Sequence, residues 1–120
     1  MMKETAAALL RAGVDKLLKS DAVMGALRRH AGRYADILDL GCTGGGITLM
    51  VRPLGFSEDV CIVLSRAEVD ENGAWIRPVE ISADRESVDA LLRDFVQGKK
   101  FPLPSMARPF AGMLKRLLSD

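Results

Sequence analysis

Apolar positions recur along this chain with two different periods. From Lys3 to Lys19, residues Ala6, Leu9, Leu10, Gly13, Val14, Leu17 and Leu18 stand three or four apart, the spacing of an amphipathic helix. Ser20 or Asp21 can cap a second helical segment carrying Val23, Met24, Ala26 and Leu27. It ends in the basic cluster Arg28, Arg29, His30 ahead of Gly32, a normal helix end. Between Asp36 and Pro53 the period falls to two. With Gly44-Gly45 as a hairpin loop, Cys42 faces Ile47, Leu40 faces Leu49 and Leu38 faces Val51, so six apolar residues share one face. Ile37, Asp39, Gly41, Thr48, Met50 and Arg52 then occupy the other.

A second hairpin follows. Val60 to Val69 alternates as a strand, and Asn72-Gly73 supplies a two-residue turn. In that register Leu64 faces Ile81, Arg66 faces Val79, and Glu68 faces Arg77. Pro78 has no N–H to give a ladder, which makes the last strand an edge, and Trp75 sits near the tip. Asp84 is a suitable N-cap for a helix with Val88, Leu91, Leu92, Phe95 and Val96 on its apolar side, stopping at Gly98. This helix is expected to cover one sheet face, with Asp89, Arg93 and Asp94 in solvent. Lys99 to Pro104 reads as an extended linker, and Pro109 to Leu118 as a final amphipathic helix.

The expected fold is therefore α+β: N-terminal helices, a four-stranded antiparallel sheet from two β-hairpins, and two C-terminal helices. Residues 1–120 form a single domain, with 98–120 as linker and tail helix, docked in cis or on a partner subunit. A chain of 120 residues is long enough to bury about two-thirds of the surface it exposes when unfolded.

The stretch Ile37-Leu38-Asp39-Leu40-Gly41-Cys42-Thr43-Gly44-Gly45-Gly46 also resembles the first motif of S-adenosylmethionine-dependent methyltransferases. In that family an apolar strand ends in an acidic residue and alternating glycines, and a helix follows at once. The resemblance implies cofactor-loop roles for Asp39, Gly41 and Gly45. It covers about a dozen residues, and Thr43 stands where the pattern has its middle glycine. Its helix would run through β-branched Ile47, Thr48 and Val51 into Pro53, which propensity opposes, so the hairpin is the preferred reading.

Charge and composition narrow the chemistry. Seventeen Lys and Arg against sixteen Asp and Glu give a net charge of +1, so no general attraction to nucleic acid is expected. One Trp, one Tyr and four Phe are too few and too scattered for a base-stacking platform. His30 is the single histidine, and Cys42 and Cys61 lack metal-ligand or CxxC spacing, so no metal, cofactor or catalytic residue is assigned. The two cysteines are expected as buried free thiols. With no transmembrane run or signal-peptide pattern, the expected location is cytoplasmic.

The second sheet face, with Ile37, Met50, Cys61, Val63, Val69 and Ile76, is unusually apolar for a solvated surface and calls for a cover. The functional expectation is a non-catalytic binding or interaction domain that self-associates, most simply as a homodimer, and holds a lipid-like ligand between sheet and helices. Ile37, Met50, Val63, Trp75, Phe110 and Met113 are the candidate ligand contacts. Arg28, Arg29 and Arg33 form a candidate anion site. The alternative is a degenerate or truncated methyltransferase, and a strand at residues 47–52 is the observation that excludes it.

Overall fold

Two antiparallel hairpins frame the molecule. In the computed structural model, which describes residues 2–43, 46–103 and 105–119, β1 (Ala35–Thr43) returns as β2 (Gly46–Pro53), and β3 (Val60–Val69) returns as β4 (Trp75–Ala83). A two-residue strand, β5 (Phe101–Pro102), adds to β4, so the sheet has five strands in the order β1-β2-β3-β4-β5, one more than expected. The α-helices are α1 (Met2–Leu18), α2 (Asp21–Ala31), α3 (Glu86–Phe95) and α4 (Ala111–Leu118), the last preceded by a 3-10 segment at Ser105–Phe110 that contains Pro109. Ser20 is the N-cap of α2 and accepts from the Val23 N–H.

The first hairpin pairs Cys42 with Ile47 and Leu40 with Leu49, as the alternation requires. The conformation of the Gly44-Gly45 connection lies outside the described residues. Beyond Asp39 the register shifts by one. Leu38 is the extra residue, and Ile37, not Leu38, faces Val51. Ile37 is therefore buried in the core and Leu38 turned outward, the reverse of expectation.

In the second hairpin Leu64 faces Ile81 and Glu68 faces Arg77 as expected, but a bulge pairs Arg66 with Glu80 and leaves Ser65 and Val79 outside the register. Its connection is not a two-residue Asn72-Gly73 loop. The Asp70 N–H donates to the Trp75 carbonyl at 3.0 Å, the Gly73 N–H donates to the Asp70 carbonyl at 2.9 Å, and the Asp70 carboxylate accepts from the Ala74 N–H at 3.1 Å. Gly73 alone takes positive φ there. It also lies so close to Arg108 that a Cβ would meet that residue's backbone at 2.9 Å.

These bulges add twist and curl the sheet around the helices. One core cluster joins Val14 and Leu18 of α1, Leu40, Val69, and Ala111 and Leu114 of α4; a second joins Ile37, Val51 and Val60. Val69 and Ile76 belong to the first cluster, so the outer face is less apolar than the sequence implied. Of the six residues expected there, Met50, Cys61 and Val63 remain, each half-buried. The tail helix packs in cis, with Leu118 fully buried and Met113 against Gly13 of α1.

Both sheet edges are covered. Along β1, side chains of α1, α2 and the turn between them take up the outward backbone groups: Asp15 accepts from the Cys42 N–H at 2.8 Å, Lys19 donates to the Leu40 carbonyl at 3.1 Å, and Arg28 donates to the Ile37 carbonyl at 3.4 Å. Along β4, the Pro78 carbonyl turns outward to the Gly98 N–H at 2.7 Å, so the absent proline N–H also points away from β3. There α3 lies beside the edge instead of covering a face. Its Asp89 is not solvated as expected but accepts from the Ala83 N–H at 2.9 Å. Asp84 is not the N-cap: it accepts from the Cys61 N–H, and Arg85 takes the cap position without a side-chain bond.

Candidate functional site

The curled sheet and the helices packed into it do not meet fully. Between the concave sheet face and α1, α2 and α4 lies a cavity of about 370 Å³, open in part to solvent. Leu27 of α2, Leu49 of β2, Leu64 of β3, Ile81 of β4 and Leu114 of α4 are among its walls, and every lining side chain is Leu, Ile, Val or Ala. Leu103 and Ala107, from the segment between β5 and α4, complete it. The strands beside it are bulged: inward residues are separated by three positions at Ile37 and Leu40 and again at Leu64 and Ala67.

Such a site can do one thing chemically. It can shelter hydrocarbon, since it offers no donor, acceptor or charge. A polar cleft adjoins it, sharing Ile81 and lined by Ser65, Glu80, Arg93 and Gln97, the last two carried by α3 or the turn after it. Arg93 is held by Asp89 at 3.0 Å. Among the described residues no group of three or more His, Cys, Asp or Glu is placed to hold a metal ion.

The candidate ligand contacts do not converge. Ile37 is core, Met50 and Val63 lie on the outer sheet face, and Met113 packs between α4 and α1. Phe110 ends the 3-10 segment, partly buried. Trp75 stands opposite Pro102 of β5, with the Lys100 ammonium 4.3 Å from its ring centre. The walls of the cavity were legible as core positions of helices and strands, but nothing in the sequence marks a core that is incompletely filled.

The three arginines also part company. Arg28 holds the β1 edge, Arg33 lies 5.8 Å from the Tyr34 ring centre, and Arg29 is exposed. The glycine stretch loses its cofactor geometry as well, because residues 46–53 form β2 where the methyltransferase motif needs a helix. Asp39 takes Lys19 at 3.2 Å. Gly41 is small for another reason: a Cβ there would stand 2.8 Å from the Asp15 carboxylate and 2.9 Å from the Lys19 ammonium. Gly45 lies outside the described residues.

Cys42, beside this ion pair, is a free thiol. Desolvation by burial raises its pKa from the ordinary 9.0, Asp15 raises it further, and Arg11 opposes them. Because the folded value is the higher one, the thiol's contribution to stability is complete below its unfolded pKa. That contribution is lost as pH rises through the raised value. At neutral pH Cys42 is a neutral side chain and a poor nucleophile.

No described helix is long and apolar enough to cross a membrane. Comparison with known protein families, with curated proteins and with solved structures finds no match for this chain.

Proposed function

We propose that this protein is a non-catalytic binding domain that holds the hydrocarbon part of an amphiphile between its sheet and helices. The all-aliphatic cavity carries this reading. Without an occupant, a space of about 370 Å³ walled only by aliphatic side chains lacks the dispersion contacts that a packed core would supply. A hydrocarbon occupant recovers many of them. The adjoining cleft, with Ser65, Glu80, Arg93 and Gln97, suits a polar head group attached to such a tail. Self-association belongs to the same reading and is supported by the half-exposed stripe Met50, Cys61 and Val63 on the outer face.

The test is native mass spectrometry of gently purified protein, paired with titration by anilinonaphthalene sulfonate and by a medium-chain fatty acid. We expect a co-purifying mass of lipid size, or saturable probe uptake that the fatty acid displaces. Ala26 lines the cavity and is buried, so Ala26→Phe should fill the space and abolish uptake with the fold retained. Uptake unchanged by Ala26→Phe, or absent from the parent protein, would refute the reading. The same spectra read the oligomeric state.

A further inference from the structure

The second feature left unexplained by folding is the surface of α3 and β5. Helix α3 has no fully buried side chain, yet it is strongly amphipathic. Leu91 is 57% exposed and Phe95 63% exposed; standing four apart, they are neighbours on one helix face. Lys99 places its ammonium 5.5 Å from the Phe95 ring centre, and in the following segment Phe101, opposite Ile76, is 38% exposed. Three of the chain's large exposed hydrophobics thus fall within residues 91–101.

Two cations flank this surface and, like Lys16, Arg29, Arg33 and Arg116, form no ion pair among the described residues. Arg52, Arg66, Arg77, Arg85 and Lys115 each face a carboxylate of another element. Lys99 and Lys100 lie instead over the rings of Phe95 and Trp75. Asp94 adjoins Leu91 and Phe95 on the helix, and the two lysines outweigh it. Apolar side chains flanked by ammonium groups without a carboxylate partner match the boundary between acyl chains and anionic head groups.

We infer that the α3–β5 edge docks the protein on an anionic phospholipid surface, with Leu91 and Phe95 entering the acyl boundary and Lys99 and Lys100 meeting lipid phosphates. The purpose of this docking, though not the docking itself, rests on the proposed amphiphile binding. Arg93 and Gln97 wall the cleft that shares Ile81 with the aliphatic cavity, so the docked edge adjoins the cleft proposed for the head group.

Co-sedimentation of the full chain with vesicles tests it. Phosphatidylcholine vesicles containing phosphatidylglycerol are compared with vesicles of phosphatidylcholine alone, and binding of the parent protein is compared with Leu91→Ser/Phe95→Ser and Lys99→Glu/Lys100→Glu. The parent should prefer the anionic vesicles, and added salt should weaken it. Each double variant should bind at least about tenfold more weakly, since two exposed anchors or two charges are lost. Because these side chains are exposed, the melting temperature should stay that of the parent. Anilinonaphthalene sulfonate uptake, measured without vesicles, should also be unchanged.

No vesicle binding, or equal binding by parent and variants, overturns the inference, and normal probe uptake in the same samples shows that the cavity reading survives it. Loss of a native dimer in Leu91→Ser/Phe95→Ser, with vesicle binding intact, also overturns it, because the edge then serves a second copy. Vesicle binding that follows the variants in a protein with no probe uptake sustains the docking surface and removes only its purpose.

Discussion

Gly41 and Gly46 stand five positions apart and are small for unlike reasons. At Gly41 the intruding atoms are the ends of two side chains, Asp15 and Lys19, which can withdraw at the loss of the Asp15 bond to the Cys42 N–H. At Gly46 a Cβ would stand 2.2 Å from the Leu64 backbone carbonyl, with φ at +123°, and backbone cannot withdraw. Gly41→Ala should therefore lose about 1 kcal/mol, and Gly46→Ala at least about 3 kcal/mol; denaturant unfolding of the two variants measures the order. A result with Gly41→Ala the more damaging would mean that the strand depends on glycine itself at that site. The sequence showed both glycines and could not rank them, because what decides is an atom contributed by a distant element.

At the scale of elements, the alternation located β1 to β4 to within a residue or so, and the hairpin pairings near the turns came with it. What failed was the middle of each hairpin. Replacing Leu38 by Ile37 on the inner face exchanges one apolar residue for another, so the bulge leaves no trace in the pattern. In the second hairpin Val79 leaves the register and Glu80 pairs with Arg66 instead. Proline concealed β5, whose pairing with Trp75 and Ile76 depends on where the chain returns. Helix α3 was visible by its period, but period does not say whether a helix lies on a face or beside an edge.

The protection of β1 is a property of this level too. Asp15 serves its outward Cys42 N–H as a neighbouring strand would. Asp15→Ala should speed exchange of the Cys42 amide by at least about tenfold while amides of β2 and β3 keep their protection. Hydrogen exchange read by nuclear magnetic resonance measures this directly. Uniform loss across the sheet would mean that Asp15 supports the whole fold and not one edge.

For the molecule as a whole, the informative property is a core that the fold leaves partly unfilled. Its walls were predictable one residue at a time as core positions; the space between them depends on how helices and sheet seat against one another, and so was not. Pressure reports on such space. Unfolding eliminates internal voids, so the ligand-free protein should have a larger negative unfolding volume than a fully packed domain of equal length, and Ala26→Phe or a bound fatty acid should reduce it. High-pressure fluorescence of Trp75 gives the measurement, and identical pressure midpoints for the parent and Ala26→Phe would show that the space is hydrated and carries no such penalty.

The contact of Gly13 with Met113, and the cluster in which Val14 and Leu18 meet Ala111 and Leu114, also set the order of events during synthesis. Polypeptide emerges amino end first, so α1 leaves the ribosome long before the helix that completes its burial. Until α4 follows, the hairpins can pair locally, but the apolar side of α1 has only part of its cover. Closing the cluster then requires joining segments separated by nearly the entire sequence, the slow kind of contact in folding. A nascent form with both hairpins made and α1 still partly uncovered is the stage at which this chain would most need a chaperone.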